Sequence, residues 1–273
     1  MNWKKRIVSL ALAAVIGLST FLASGVDAEA AGAIAKGIDV SKYQGAINWS
    51  AVAAEGYSFA FIKVGSAKSG LDPYFAANMV GANAAGLKTG VYLYSYATTV
   101  EAAMGEAQFT LAAIAPFTVS MPVVFDLEDA VHKTMTPEQL QALTVVFCSI
   151  IQSAGYQPMV YSSKNWLTQR VGPIPFDVWV AQYAEACEYP NPAFWQFSNS
   201  GTVSGIDGRV DLNFQFKDYS NIIIPYGFTT RGGNTYFYNN YRMQYGWVDY
   251  EGNRYFMNAD GTLYTNGWLP DGV

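Results

Sequence analysis

Asp126 and Glu128 stand two residues apart in an apolar run, 122–128, that reads PVVFDLE. A carboxylate inside a buried strand costs several kcal/mol unless it is paired or put to use. Two more acids keep similar company: Asp39 in 37–40 (GIDV) and Asp211 in 209–213 (RVDLN). Taken singly, each could be half of a salt bridge or a hydrogen-bonded cap. Four of them at strand ends, with few lysines or arginines nearby in sequence, favour one shared acidic pocket. On a strand, residues i and i+2 share a face, with Cα atoms roughly 6.5 Å apart. Like charges that close push one pKa up. A carboxyl kept protonated near neutral pH can then give its proton to a glycosidic oxygen. Such a division of labour between two acids is what glycoside hydrolysis requires, and backbone spacing does not choose between retention and inversion.

Other chemistries lack their parts. The only histidine is His132, expected in an ordinary loop, so a His-based zinc site or a Ser-His-Asp triad has almost nothing to build with. No metal and no cofactor are expected. A net charge of −5 argues against nucleic acid as a partner. Aromatic residues make up 15% of the 273, which suits sugar recognition by ring faces. Cys148 lies in a helical pattern and reads as a small buried hydrophobe, so Cys148 and Cys187 are expected as two free thiols.

The acids need elements to carry them. Near-continuous apolar runs at 35–40, 59–64, 90–96, 122–128, 159–162, 178–183, 194–197 and 210–214 read as strands of a parallel sheet covered on both faces. Helical patterns begin at Pro73, span 100–115 and span 136–153. The last has Thr136 as N-cap, Pro137 at the first position and Gln139 at the third. Eight strands with alternating helices predict an α/β fold, a compact and irregular (β/α) TIM-like barrel whose later connections are too short for full helices. A doubly wound open sheet is the competitor, but no Gly-rich phosphate fingerprint follows the first strand. In a barrel, the C-terminal strand ends form the mouth, which is where Asp126 and Glu128 would open.

Several motifs occur in a fixed order: 37–45 (GIDVSKYQG) with 47–49 (INW), then 125–128 (FDLE), 179–183 (WVAQY), and 195–197 (WQF) with 205–211 (GIDGRVD). Together they resemble glycoside hydrolase family 25, the Chalaropsis-type lysozymes, over residues 34–216. The resemblance implies hydrolysis of the β-1,4 bond between N-acetylmuramic acid and N-acetylglucosamine in peptidoglycan, with Glu128 as proton donor. Asp126 would be its partner, steadying the substrate's own 2-acetamido group as nucleophile or serving as base for water. Asp39 and Asp211 match the family's other two acids. Tyr94, Tyr96, Tyr161, Trp179 and Tyr183 are candidate sugar contacts, each of which could equally be core. A chitinase-like glycan hydrolase and a non-catalytic wall-binding protein are the alternatives.

The ends carry further expectations. Residues 1–30 read as a signal peptide, with Lys4, Lys5 and Arg6 ahead of an apolar stretch and small-x-small sites at 26–30. The mature protein is then secreted, extracellular or wall-associated, monomeric and free of the membrane. A catalytic barrel is expected over 31–217 and a linker over 218–230. Over 231–273, GNTYFYN (233–239) returns as GNRYFMN (252–258), and Gly246-Trp247 returns as Gly267-Trp268. This short β-hairpin repeat region resembles choline-binding wall repeats. Its aromatics Trp247, Tyr255 and Trp268 are candidates for holding a wall polymer, either teichoic acid choline or a glucan. Arg254 stands where such repeats usually carry a cation-boxing Trp. The chain could be truncated within a further unit at Val273.

Overall fold

The computed structural model describes residues 30–265. Most of the expected signal segment and Trp268 lie outside the described residues. The strands are β1 (Ala35–Val40), β2 (Phe59–Ser66), β3 (Gly70–Leu71), β4 (Lys88–Tyr94), β5 (Val123–Asp126), β6 (Pro158–Ser163), β7 (Asp177–Ala181), β8 (Phe194–Gly201) and β9 (Val210–Gln215). Their order is β1-β9-β8-β7-β6-β5-β4-β2-β3, and a further β1–β2 pairing closes eight of them into a barrel, with β3 folded back on β2. The helices α1 (Trp49–Ala54), α2 (Phe75–Ala84), α3 (Val100–Ile114) and α4 (Pro137–Ser153) fall between strands of the first half. Helix α4 begins with the expected capping box: Thr136 accepts from the Gln139 amide, and Gln139 Oε1 accepts from the Thr136 amide.

Alternation along each strand divides two apolar layers. Ile38, Val40, Ala60, Ile62, Leu93 and Phe125 face outward onto Met79, Ala107 and Phe147 of the helices. Phe59, Phe61, Val124, Met159, Trp179 and Phe194 face inward and fill the barrel. Burial on both faces is why the strands read as unbroken apolar runs. Inside, Phe61 stacks on Trp179 at 4.6 Å and meets Phe194 edge-on at 5.0 Å. Room for these rings comes from glycine: a Cβ on Gly37 would lie 2.4 Å from the Phe59 ring, and one on Gly90 would lie 2.3 Å from Phe61.

The barrel departs from the expected parallel sheet at its last strand. β1, β2 and β4 to β8 run parallel, but β9 is antiparallel to both β8 and β1. The physical reason is length. A parallel return needs a crossover of a dozen or more residues, and only 202–209 join β8 to β9.

The segment 218–230, expected as a linker, is not free connecting chain. Tyr219 is buried against Phe194, rings stacked 5.9 Å apart, and its hydroxyl donates to Asp177 Oδ2 at 2.8 Å. Ile223 is buried in the same inner cluster. Lys217 pairs with Asp177 at 2.7 Å. Since Asp177 opens β7, these residues plug the barrel floor, opposite the mouth. Strand β10 (Tyr226–Arg231) then starts inside the expected linker.

The tail holds two hairpins. β10 pairs with β11 (Asn234–Asn239), which also pairs with β12 (Arg242–Met243); β13 (Gly246–Tyr250) pairs with β14 (Asn253–Met257). Their common core is Phe237, Val248 and Met257, flanked by Phe228, Tyr250 and Tyr255. The tail is tied to the barrel at the end of α4: Met243 N donates to Gly155 O at 2.8 Å, and the Arg242 guanidinium donates to Ala154 O at 3.2 Å. Gly155 has φ +87°, and a Cβ there would sit 2.3 Å from Met243 O.

Candidate active site

The inward alternation delivers the four acids to one mouth. Asp39 on β1, Asp126 on β5 and Asp211 on β9 face the interior, and Glu128 follows two residues beyond Asp126, past the end of its strand rather than within it. All four line a cleft of about 680 Å³, together with Lys63, Tyr92, Tyr94, Tyr96, Tyr161, Trp179 and Gln196. Among the described residues, no group of His, Cys, Asp or Glu side chains is arranged to hold a metal ion.

Asp39 and Asp211 are direct cross-strand partners. Gln196 Nε2 donates to Asp39 Oδ1 at 2.9 Å and to Asp211 Oδ2 at 3.3 Å. Asn213 Nδ2 donates to Asp39 Oδ1 at 2.8 Å, and Trp179 Nε1 fixes that amide by donating to Asn213 Oδ1 at 2.8 Å. Gln196 Oε1 in turn accepts from the Tyr161 and Tyr183 hydroxyls, at 2.9 and 3.0 Å. Asp126 is also buried, but its Oδ1 has no hydrogen-bond partner among the described residues. An orphaned buried carboxylate oxygen is costly and points to a ligand or a function.

Burial is the main cause raising the pKa of all four acids. It pushes Asp126 well above the usual carboxylate range, and the Glu128 charge adds to the rise. Burial likewise lifts Asp39, with repulsion from Asp211 second. Solvent-exposed Glu128 is raised by partial burial within the mouth; Lys63 opposes that rise, and Asp211 and Asp129 add to it. Asp211 is raised by burial and held back by its hydrogen bond with Asp39. Repulsion between Asp126 and Glu128, expected as the leading cause, is thus secondary to desolvation.

The candidate aromatics separate into layers. Trp179 and Tyr161 are both buried inner-core residues that also floor the cleft. Tyr94 and Tyr96 stand higher, their ring centres 5.1 Å apart, and Tyr94 donates to Asp129 Oδ2 at 3.0 Å. Tyr183 is an exposed rim residue tied to the site through Gln196. In the tail, Trp247 is exposed and lies edge-on to Phe256 at 5.2 Å, whereas Tyr255 packs into the hairpin core 4.9 Å from Phe228. His132 is not an ordinary loop residue. It is fully buried in a turn of helix at 130–134, with Nε2 at 2.9 Å from Ala97 O, and burial lowers its pKa. Cys148 is buried, Cys187 half-buried, and both are free thiols.

Sequence reasoning missed Lys63, Gln196 and Asn213. Lys63 lies over the Tyr94 ring at 4.6 Å and tempers both Asp126 and Glu128. Its signal was a lone charge at the inward register of 59–64, in line with Phe59 and Phe61.

Known proteins resemble this chain, some in sequence and some in fold. Lysozyme M1 of Streptomyces globisporus is 30% identical over 200 residues, covering 65% of this chain and 66% of that protein. An uncharacterized protein of Escherichia coli, YegX, is 31% identical over 187 residues, covering 65% and 68%. The chain therefore spans about two thirds of the length of the curated relatives it matches. Among solved structures, the modular autolysin LytC of Streptococcus pneumoniae superposes with a TM-score of 0.60 at 29% identity, covering 66% of this chain and 46% of that one. A family 25 glycosyl hydrolase of Bacillus anthracis shares the fold, with a TM-score of 0.60 at 23% identity over 68% and 90%. The model of glycosyl hydrolases family 25 matches residues 38–206, the stretch that begins in the first barrel strand, takes in Asp39, Asp126 and Glu128, and ends just before β9. By that match across more than half its length, the chain belongs to glycosyl hydrolase family 25.

Proposed function

We propose that the protein is a secreted muramidase that cleaves the β-1,4 bond between N-acetylmuramic acid and N-acetylglucosamine in peptidoglycan. The 1–30 segment directs export, the barrel together with its plug residues Tyr219 and Ile223 forms the catalytic unit, and the hairpins retain the enzyme on a wall polymer. Glu128, at the rim where a glycan strand arrives, protonates the bridging oxygen as the bond to the muramyl anomeric carbon breaks. A sugar lying over it displaces water, which strengthens the effect that already raises its pKa. Asp126 accepts a hydrogen bond from the muramyl acetamido N–H, so that the acetamido oxygen closes on the anomeric carbon. Glu128, now ionised, takes a proton from the water that opens the ring. Asp39 and Asp211, fixed by Gln196 and Asn213, shape the floor on which the sugar sits.

The observation that carries this reading is the unpartnered Asp126 Oδ1, buried in the floor of an aromatic cleft two residues from Glu128. The relatives support it in kind: one is named a lysozyme, and LytC has been solved with a synthetic peptidoglycan ligand. Reducing-end analysis of digested peptidoglycan tests it. New muramic acid ends are expected, and Glu128→Gln should lower kcat by about 10²–10⁴-fold, the range for losing a general acid, with the fold and wall association intact. Chitin oligomers as the preferred product, or native turnover in the variant, would refute it.

A further inference from the structure

The acids of the cleft are bordered on one side by a cation that none of them uses. Arg209, exposed on the rim two residues before Asp211, lines the cleft beside Gln44 and Tyr43. Its guanidinium makes no hydrogen bond or ion pair with any described residue, although the cleft holds four carboxylates. Its backbone is held instead: Gln44 Nε2 donates to Arg209 O at 3.0 Å, and Gln44 Oε1 is itself fixed by the Ser41 amide at 2.9 Å. Tyr43, 80% exposed, stands next to it with the Lys42 ammonium 5.4 Å above its ring. On the side of the mouth nearer Asp129 the cations are engaged with rings instead: Lys63 lies over Tyr94 at 4.6 Å and Lys68 over Tyr96 at 4.5 Å. A protein of net charge −5 thus sets a positive shoulder against one flank of an acidic cleft.

We propose that Arg209 is a specificity-determining residue that holds a carboxylate borne by the muramyl residue. The proposal rests on the peptidoglycan reading above. A bare glycan of N-acetylglucosamine has no anion to offer this shoulder, whereas muramic acid carries a lactyl group and, through it, a peptide stem with free carboxylates. Such an anion would be repelled by the acids of the floor and drawn to the flank where the Arg209 guanidinium is free to pair with it. A planar guanidinium meets a carboxylate with two parallel hydrogen bonds.

The test is calorimetric binding, which does not depend on turnover. The probes are a disaccharide–tetrapeptide, the same compound with its carboxyls converted to amides, and the peptide-free disaccharide with its lactyl carboxylate. The charged tetrapeptide form should bind about five-fold tighter than the amidated one, as for a half-exposed ion pair. That preference should vanish in Arg209→Gln, persist in part in Arg209→Lys, and shrink as salt rises. In the tetrapeptide probe the lactyl carboxyl is consumed in the amide bond to the stem, so an Arg209-dependent preference there assigns the anion to the stem; the same dependence in the peptide-free disaccharide would show that a freed lactyl carboxylate reaches the same guanidinium. Equal binding of charged and amidated forms, or a five-fold preference retained in Arg209→Gln, would overturn the assignment and leave the muramidase reading standing. Failure of all three probes to bind would overturn both.

Discussion

Replacing Gln196 by leucine removes a side chain that links Tyr161 and Tyr183 to Asp39 and Asp211, and the structure sets the cost. Four hydrogen bonds vanish: two accepted from Tyr161 and Tyr183, and two donated to Asp39 and Asp211. Their partners do not suffer equally. Tyr183 is 55% exposed and Asp211 half-buried, so water replaces what they lose. Tyr161 is 7% exposed and Asp39 5%, so water reaches them only through the cleft they line. An orphaned buried hydroxyl costs about 1–3 kcal/mol. Asp39 keeps its bond from Asn213, so its loss adds about 1 kcal/mol, one ordinary hydrogen bond. Gln196→Leu should therefore destabilise the fold by about 2–4 kcal/mol, read as a lower urea midpoint at unchanged m-value. The decisive step is the second substitution. Tyr161→Phe alone should cost about 1 kcal/mol, but added to Gln196→Leu it removes the orphan and should recover about 1–2 kcal/mol. Strictly additive losses would refute the claim that these two side chains satisfy one another, as would a Gln196→Leu cost under about 0.5 kcal/mol, the level of an ordinary surface change.

Other substitutions probe the charges and the floor. Lys63 favours the ionised form of Glu128 and so lowers its pKa. Lys63→Met should let the carboxyl stay protonated to higher pH and move the alkaline limb of the kcat profile upward; a downward shift would contradict the assignment. Asp39 has a raised pKa in the folded protein, caused first by burial and then by Asp211, so the folded state holds its proton more firmly than the unfolded chain does. Stability from this group is complete below the unfolded carboxylate range and is lost as pH rises through the folded value. Asp39→Asn should flatten that fall in thermal denaturation measured across acid to neutral pH. Ending the chain after Lys217 removes Tyr219 and Ile223 from the floor and should cost about 3–5 kcal/mol, as for excising a large core side chain. Ending it after Pro225 keeps the plug, and calorimetric melting of the two truncations should differ accordingly.

The central strands were legible because both faces are buried, which leaves apolar runs of four to eight residues. The start of α4 was legible because Thr136, Pro137 and Gln139 each satisfy a local requirement of a helix end. Strand direction was not, since 210–214 carries the same pattern whichever way it runs. Lys63 was hidden by distance in sequence: it lies more than twenty residues from each of the four acids, yet barrel closure sets β2 between β1 and β4. Tyr219 and Ile223 looked like linker because the apolar residues at 219 and 222–224 are too few and too irregularly spaced to show a strand or helix period. Gln196 and Asn213 lay within quoted motifs, but an amide on a strand carries no mark of its partner. Their inward register, in line with Phe194 and Asp211, was the available clue.

The reversal of β9 is what makes the site possible. Asp211 is the second residue of its strand, so in a parallel barrel it would lie near the floor, at the far end from Glu128. Running antiparallel, β9 begins at the mouth and sets Asp211 directly across from Asp39, near the C-terminal end of β1. The same register places Asn213 opposite Gln196 on the other side. Two amides and two carboxyls thereby meet in one layer, and each amide donates to Asp39. The short 202–209 connection, which leaves no room for a helical crossover, is thus the covalent cause of the acidic cluster. Substituting any one of the four acids changes a charge, whereas restoring a parallel last strand would dismantle the layer itself.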